Sequence, residues 1–168
     1  MPNAETVLGD SNIASQLQRF VSSGGRVLLL QPGTKLQTLF PEQIKSFRTC
    51  PGEIATMHIP ESPVFDGLEP LDLAWFELGD RRVPRACRGT YQIEFGRDDT
   101  TMLAEVVDIH GYLKTPADLA KYSGSPLVRL NIGKGKVLAS EMMLLEASQD
   151  PIAGRLLGNL IKTLSVDD

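Results

Sequence analysis

The stretch that decides the fold is "DSNIASQLQRFVSSGGRVLLLQ", residues 10–31. Asp10 or Ser11 can accept a backbone N–H and so cap a helix start. Ile13, Leu17, Phe20 and Val21 follow at i, i+4, i+7 and i+8, which predicts an amphipathic helix with one apolar stripe. Gly24 and Gly25 end it, because glycine enters the left-handed region cheaply. The aliphatic run "RVLLLQ", Arg26 to Gln31, then predicts a strand covered on both faces. Helix, double glycine and buried strand make one half of a parallel α/β unit.

Outward from this unit, Pro32-Gly33 breaks the strand. Leu36, Leu39, Phe40 and Ile44 suggest short helical turns around Pro41, within 34–47. Prolines and glycine predict irregular chain over 49–63. "DLAWFEL" (72–78) reads as a strand and "GDRRVPRACRG" as a polar loop. "TYQIEFG" alternates Tyr91, Ile93 and Phe95 with polar neighbours, the period-two mark of a half-buried strand. "TMLAEVVDI" (101–109) is a second strand, reached across Arg97-Asp98-Asp99 as a hairpin or a close neighbour. "LVRLNIGKGKVLASEM" predicts a hairpin turning at Gly133-Lys134-Gly135. Asp150 then caps a closing helix with Pro151 in its first turn. Ile152, Leu156, Leu157, Leu160, Ile161 and Leu164 give that helix a broad apolar face, and Gly154 and Gly158 would let a neighbour approach closely. The order predicts an α/β fold with a mixed sheet.

The chain has 168 residues, 42% of them hydrophobic and 23% charged, a composition that suits one globular domain spanning 1–168. A net charge of −4 offers phosphate backbones no broad attraction, so nucleic acid is not an expected partner. No apolar run approaches the roughly 20 residues of a membrane span, and "MPNAETVLGD" lacks the features of a secretory signal. The two cysteines, Cys50 and Cys87, match no zinc spacing and read as free thiols.

Chemical motifs are more informative by their failure. "GKGK" lacks the frame and the following helix of a phosphate loop. "GRVLLLQPG" lacks the dinucleotide fingerprint. Neither "RTCPG" around Cys50 nor "RACRG" around Cys87 follows an apolar strand into a helix, as a nucleophile elbow would. His58 with Glu61, and Asp108 with His110, are the only metal-like pairings, and loop hydrogen bonding explains both. No metal and no cofactor is expected.

"HIPESPVFDGLEPLDLAWF" (58–76) holds the remaining candidates. Pro60, Pro63 and Pro70 stiffen it, Asp66-Gly67 turns it, and Leu68, Leu71 and Leu73 should enter the core. Trp75, the only tryptophan, has two readings. It packs its ring in the core or against an interface, or it stands exposed as a stacking platform. In the second case His58, Asp72, Trp75 and His110 are the candidate ligand-binding residues.

Three segments together carry a family resemblance. "LQRFVSSGGRVLLL" (17–30) resembles the helix–strand unit of class I glutamine-amidotransferase-like domains. "SPVFDGLEPLDLAWF" (62–76) and "IGKGKVLASEMMLLEASQDPIAGRLLGNLIKTL" (132–164) resemble segments of such domains attached to glycoside hydrolases of the β-galactosidase kind. The resemblance implies a three-layer, Rossmann/flavodoxin-like mixed sheet flanked by helices, with a C-terminal hairpin and closing helix. Catalytic family members use a cysteine on an elbow and a later His-x-Glu. Here Gly111-Tyr112 follow His110, Ile59-Pro60 follow His58, and no family catalytic residue can be carried over.

The resemblance therefore implies a non-catalytic accessory domain, a fragment of a longer chain, with "ETVLGD" holding a stub of the sheet's opening strand at 6–8. A TIM barrel needs about 250 residues, so any sugar-cleaving site would lie elsewhere. Expected partners are the catalytic domain of the parent chain, a second copy, or carbohydrate. The alternatives are a carbohydrate-binding module and an independent thiol hydrolase or amidotransferase-like enzyme built on Cys50 or Cys87.

Overall fold

A computed structural model describes residues 11–49, 54–78, 81–82, 86–93, 97–107 and 124–166. The opening helix α1 (Ser11–Ser22) leads through Gly24, at φ 115°, into β1 (Arg26–Leu30). A short helix, α2 (Thr34–Leu39), follows, then β2 (Ile44–Thr49) and β3 (Ile54–Met57). Two 3-10 turns, Pro63–Phe65 and Pro70–Leu73, precede the two-residue strands β4 (Glu77–Leu78) and β5 (Arg81–Arg82). The chain continues with β6 (Gly89–Ile93), β7 (Thr100–Val107), β8 (Gly124–Ile132), β9 (Gly135–Ser140) and the closing helix α3 (Pro151–Ser165).

Seven strands form one mixed sheet around β8. On one side β8 pairs with β9 through the expected hairpin, from Leu127↔Ser140 to Ile132↔Gly135. Beyond it β9 pairs in parallel with β1, from Arg26↔Lys136 to Leu30↔Ser140. On its other side β8 pairs antiparallel with β7, which pairs with β3. At Tyr91↔Ser125 it also meets β6, which pairs with β2.

Two apolar layers cover the sheet. Val21 of α1, Leu36 and Leu39 of α2, and Phe40 pack with Leu29, Tyr91, Val128, Leu130 and Val137 on one face. On the other, Leu156 and Leu160 of α3 and Val64, Phe65, Leu73 and Phe76 of the 3-10 segment pack with Leu103, Leu127 and Leu138. Strand β1 serves both layers, Leu28 and Leu30 on one side and Val27 and Leu29 on the other, which is why it reads as continuously aliphatic. The result is the three-layer, Rossmann/flavodoxin-like mixed sheet that the sequence implies.

The departures are local. Residues 44–49 form a strand, not helical turns, because β6 supplies a ladder partner that local propensity cannot show. Ile54–Met57 is likewise a strand, within a stretch expected to be irregular. "DLAWFEL" divides into a 3-10 turn and a two-residue strand, since Pro70 at the turn's start and the Glu69/Asp72 capping box favour the turn. Of the two expectations for β6 and β7, the close neighbour holds and the hairpin does not: each pairs with β8. Leu71 is exposed while Leu73 is buried. A Cβ on Gly154 or Gly158 would meet nothing within 4 Å, so neither glycine admits a close neighbour. Asp10, Cys50, His110 and the stub at 6–8 lie outside the described residues.

Candidate functional site

In open α/β sheets ligands gather outside the carboxyl ends of parallel strands. The parallel pair here is β1 and β9, and the residues directly after it are Gln31 and Glu141. Gln31 has φ 54°, the one non-glycine residue with positive φ among those described. Gly33 follows at φ 58° and α2 begins at Thr34. A strained residue between a strand and a helix has the backbone form of a nucleophile elbow. Neither Cys50 nor Cys87 stands at this turn. Its signal is "VLLLQPG", an apolar strand running into Gln-Pro-Gly.

The side chains around this turn are bonded to one another. A carboxamide is no nucleophile, and Gln31 donates from Nε2 to Glu146 Oε2 at 2.7 Å. Glu146 is also ion-paired with Arg88. The residue after the nucleophile normally offers its N–H to the oxyanion, but Pro32 has none. The next amide, Gly33 N–H, donates to Glu141 Oε1 at 2.8 Å. Tyr91, fully buried, donates its hydroxyl to the same oxygen. Glu141 is only 2% exposed, and its backbone is tied by Arg88 N–H donating to Glu141 O and by Glu141 N–H donating to Pro126 O. The chain's own carboxylate thus occupies the first amide beyond the turn.

The residues singled out from sequence fall in two places. Asp72 and Trp75 line one cleft of about 550 Å³ with Leu71, Glu77, Asp150, Pro151 and Ile152. Trp75 is 62% exposed there, so its ring is not packed in the core. The 3-10 turn fixes it: Glu69 N–H donates to Asp72 Oδ2 at 2.8 Å, and Pro70 rigidifies the first turn. His58 follows β3 and does not line that cleft. Its Nδ1 lies 3.2 Å from Glu105 Oε2 on β7, so Glu105 is its carboxylate partner. Glu61 lines another groove of about 610 Å³, between residues 60–68 and the end of α3. Cys87 is fully buried, bridged through its backbone to Met142. Among the described residues no group of three or more His, Cys, Asp or Glu side chains could hold a metal ion.

No protein-family model matches the sequence. No curated protein matches it significantly. Solved structures do match in shape. A ThuA-like protein from Bacteroides uniformis aligns with a TM-score of 0.60 at 11% identity, over 95% of this chain and 66% of its own. A cytoplasmic protein from Salmonella typhimurium gives 0.55 at 16% identity, over 96% and 68%. A β-galactosidase from Rahnella gives 0.52 at 12% identity, over 94% of this chain but 21% of its own. A GMP synthase-type protein from Thermoplasma acidophilum is also similar, at 0.50 and 12% identity, over 98% and 68%. At these identities the likeness is one of fold: the chain has a glutamine-amidotransferase-like fold, and it spans about two thirds of the first two proteins and about a fifth of the β-galactosidase.

Proposed function

We propose that this chain is a non-catalytic accessory domain of a glycoside hydrolase, working through its surface by packing against a catalytic module or a second copy of the protein. The turn after β1 carries the reading. Gln31 stands where a nucleophile would be needed, Pro32 removes the neighbouring oxyanion donor, and Glu141 takes the next amide. A fold shared with part of a β-galactosidase supports the glycoside-hydrolase context, as does the resemblance of 62–76 and 132–164 to segments of such enzymes. The exposed side chains of Leu71 and Trp75 give the domain an apolar surface with which to pack.

The carbohydrate-binding reading has one observation of its own, the exposure of Trp75 beside Asp72. Packing accounts for the same exposure and also for Leu71, which a sugar platform does not require.

Expression of the reading frame that encodes this segment, extended on both sides, tests the proposal. The extended product should hydrolyse glycosides and the 168-residue chain alone should not. A reading frame without a sugar-hydrolase module would refute it. So would turnover of glutamine, an ester or a glycoside by the chain alone, abolished by Cys50→Ala or Cys87→Ala.

A further inference from the structure

Gln31 holds a backbone conformation that its own sequence opposes. Its φ of 54° lies in the left-handed region, which a residue with a side chain enters at a cost. Pro32 follows it, and the residue before a proline is pushed towards extended backbone. Gly33 is left-handed too, with φ 58° and ψ −140°, a combination that suits glycine. Local preference would carry Gln31 onward from β1 as extended chain. Distant residues bend it instead.

The bonds that bend it come from the end of β9 and the connection to α3. Gln31 N–H donates to Ser140 O at 2.6 Å, Gln31 Nε2 to Glu146 Oε2 at 2.7 Å, and Gly33 N–H to Glu141 Oε1 at 2.8 Å. That connection is itself strapped to β6 and the residues before it. Arg88 N–H donates to Glu141 O at 2.9 Å, Met143 N–H to Ala86 O at 2.7 Å, and Tyr91 donates its hydroxyl to Glu141 Oε1. Arg88 also pairs with Glu146. The two ends of the strap differ. The Arg88 side chain is half-exposed, so water competes for its pair, whereas Glu141 and Tyr91 are buried. The inner end therefore holds the turn more firmly than the outer one.

We infer that Glu141 is a latch on a two-position turn. With its carboxylate on Gly33 N–H, residues 31–33 are held left-handed. On release Gln31 relaxes towards extended backbone, and the Gly33 amide is freed at the carboxyl end of the parallel pair. Strained segments held by a few bonds are where a fold opens first. The rest of the molecule does not have to follow. The β1–β9 ladder ends at Leu30↔Ser140, one residue before the turn, and Leu36 and Leu39 anchor α2 by their own burial. The latch acts whatever the domain packs against, so it stands apart from the accessory role.

Hydrogen exchange of the Gly33 amide, followed by NMR at rising denaturant, tests this. Local opening exposes little surface, so Gly33 exchange should hardly change at low denaturant, while the amides of the central strand β8 should speed up steeply. Glu141→Leu removes the acceptor and should speed Gly33 exchange about 10- to 100-fold with the same flat denaturant dependence. Glu141→Gln keeps an acceptor oxygen but not its charge. It should give a smaller increase, about three- to tenfold, and it carries the test if the leucine variant does not fold. Gly33 exchange that climbs with denaturant as steeply as β8 would overturn the two-position turn, since the amide would then open only with the whole sheet. An unchanged Gly33 rate in folded Glu141→Leu, or in Glu141→Gln where the leucine variant does not fold, would show that the carboxylate is not the latch.

Discussion

Tyr91 and Glu141 are both buried, the ring within the apolar layer and the carboxyl group with no apolar reason to be there. The carboxylate is held because Tyr91 Oη and Gly33 N–H both donate to its Oε1. Removing one donor leaves a buried acceptor less well satisfied, so Tyr91→Phe should lower stability by about 1–3 kcal/mol, read as a shift in the denaturant midpoint. A wild-type midpoint would mean that the hydroxyl is dispensable and the plug at Gly33 is loose. Gly135 is a second position where single atoms decide. A Cβ there would collide with the carbonyl oxygens of Val21 and Gly25, which are backbone and cannot swing away. Gly135→Ala should therefore cost about 1–3 kcal/mol by overpacking. An unchanged melting curve would contradict this close approach of the hairpin to the end of α1.

At the scale of elements, the start of α3 is held by Asp150. Asp150 caps it through the Ile152 and Ala153 N–H groups and reaches across to the Glu77 N–H at 2.6 Å. Asp150→Ala should cost about 1–2 kcal/mol, measured by chemical denaturation, and Asp150→Asn should recover part of it. This helix was legible in the sequence because its signals are local: an Asp-Pro start and apolar residues three and four apart. So were the helix–glycine–strand unit and the hairpin. Strands β2 and β3 were not, because Ile44–Thr49 and Ile54–Met57 owe their conformation to β6 and β7, distant in sequence. The turn after β1 was half legible. "LLLQPG" marks a strand break, but the positive φ of Gln31 and the arrival of Glu141 from 110 residues later are tertiary facts. Trp75 stands exposed although its neighbours Leu73 and Phe76 are buried, because the chain before it is a 3-10 turn and does not alternate as a strand does.

The entry to β7 adds a pH dependence. Arg97 donates to Asp99 Oδ1 at 2.8 Å and Oδ2 at 2.6 Å, and these bonds hold the carboxyl well below its ordinary range. Desolvation opposes them, while Gln43 and Thr100 also donate and add to the depression. A depressed folded value means the unfolded chain takes up the proton first. The stabilisation is complete above the unfolded value of about 3.9 and is lost as pH falls towards the folded one. Unfolding midpoints recorded through that acid range should fall less steeply for Asp99→Asn than for the wild type. Parallel curves would show that the Arg97 pairing contributes nothing.

For the whole molecule, the proposed accessory role puts function at the surface rather than at the turn after β1. The sheet keeps its parallel β1–β9 pair and the strained turn beyond it, but the side chains there bond to one another. Leu71, 77% exposed, and Trp75 offer what the turn does not, an unsatisfied surface. Whether the turn is inert is best measured by treating the folded protein with a glutamine-analogue electrophile and weighing it intact. The account predicts no stoichiometric adduct under conditions that label a true amidotransferase. A rapid adduct of one equivalent, mapped to Cys50 or Cys87 and blocked by glutamine, would contradict it.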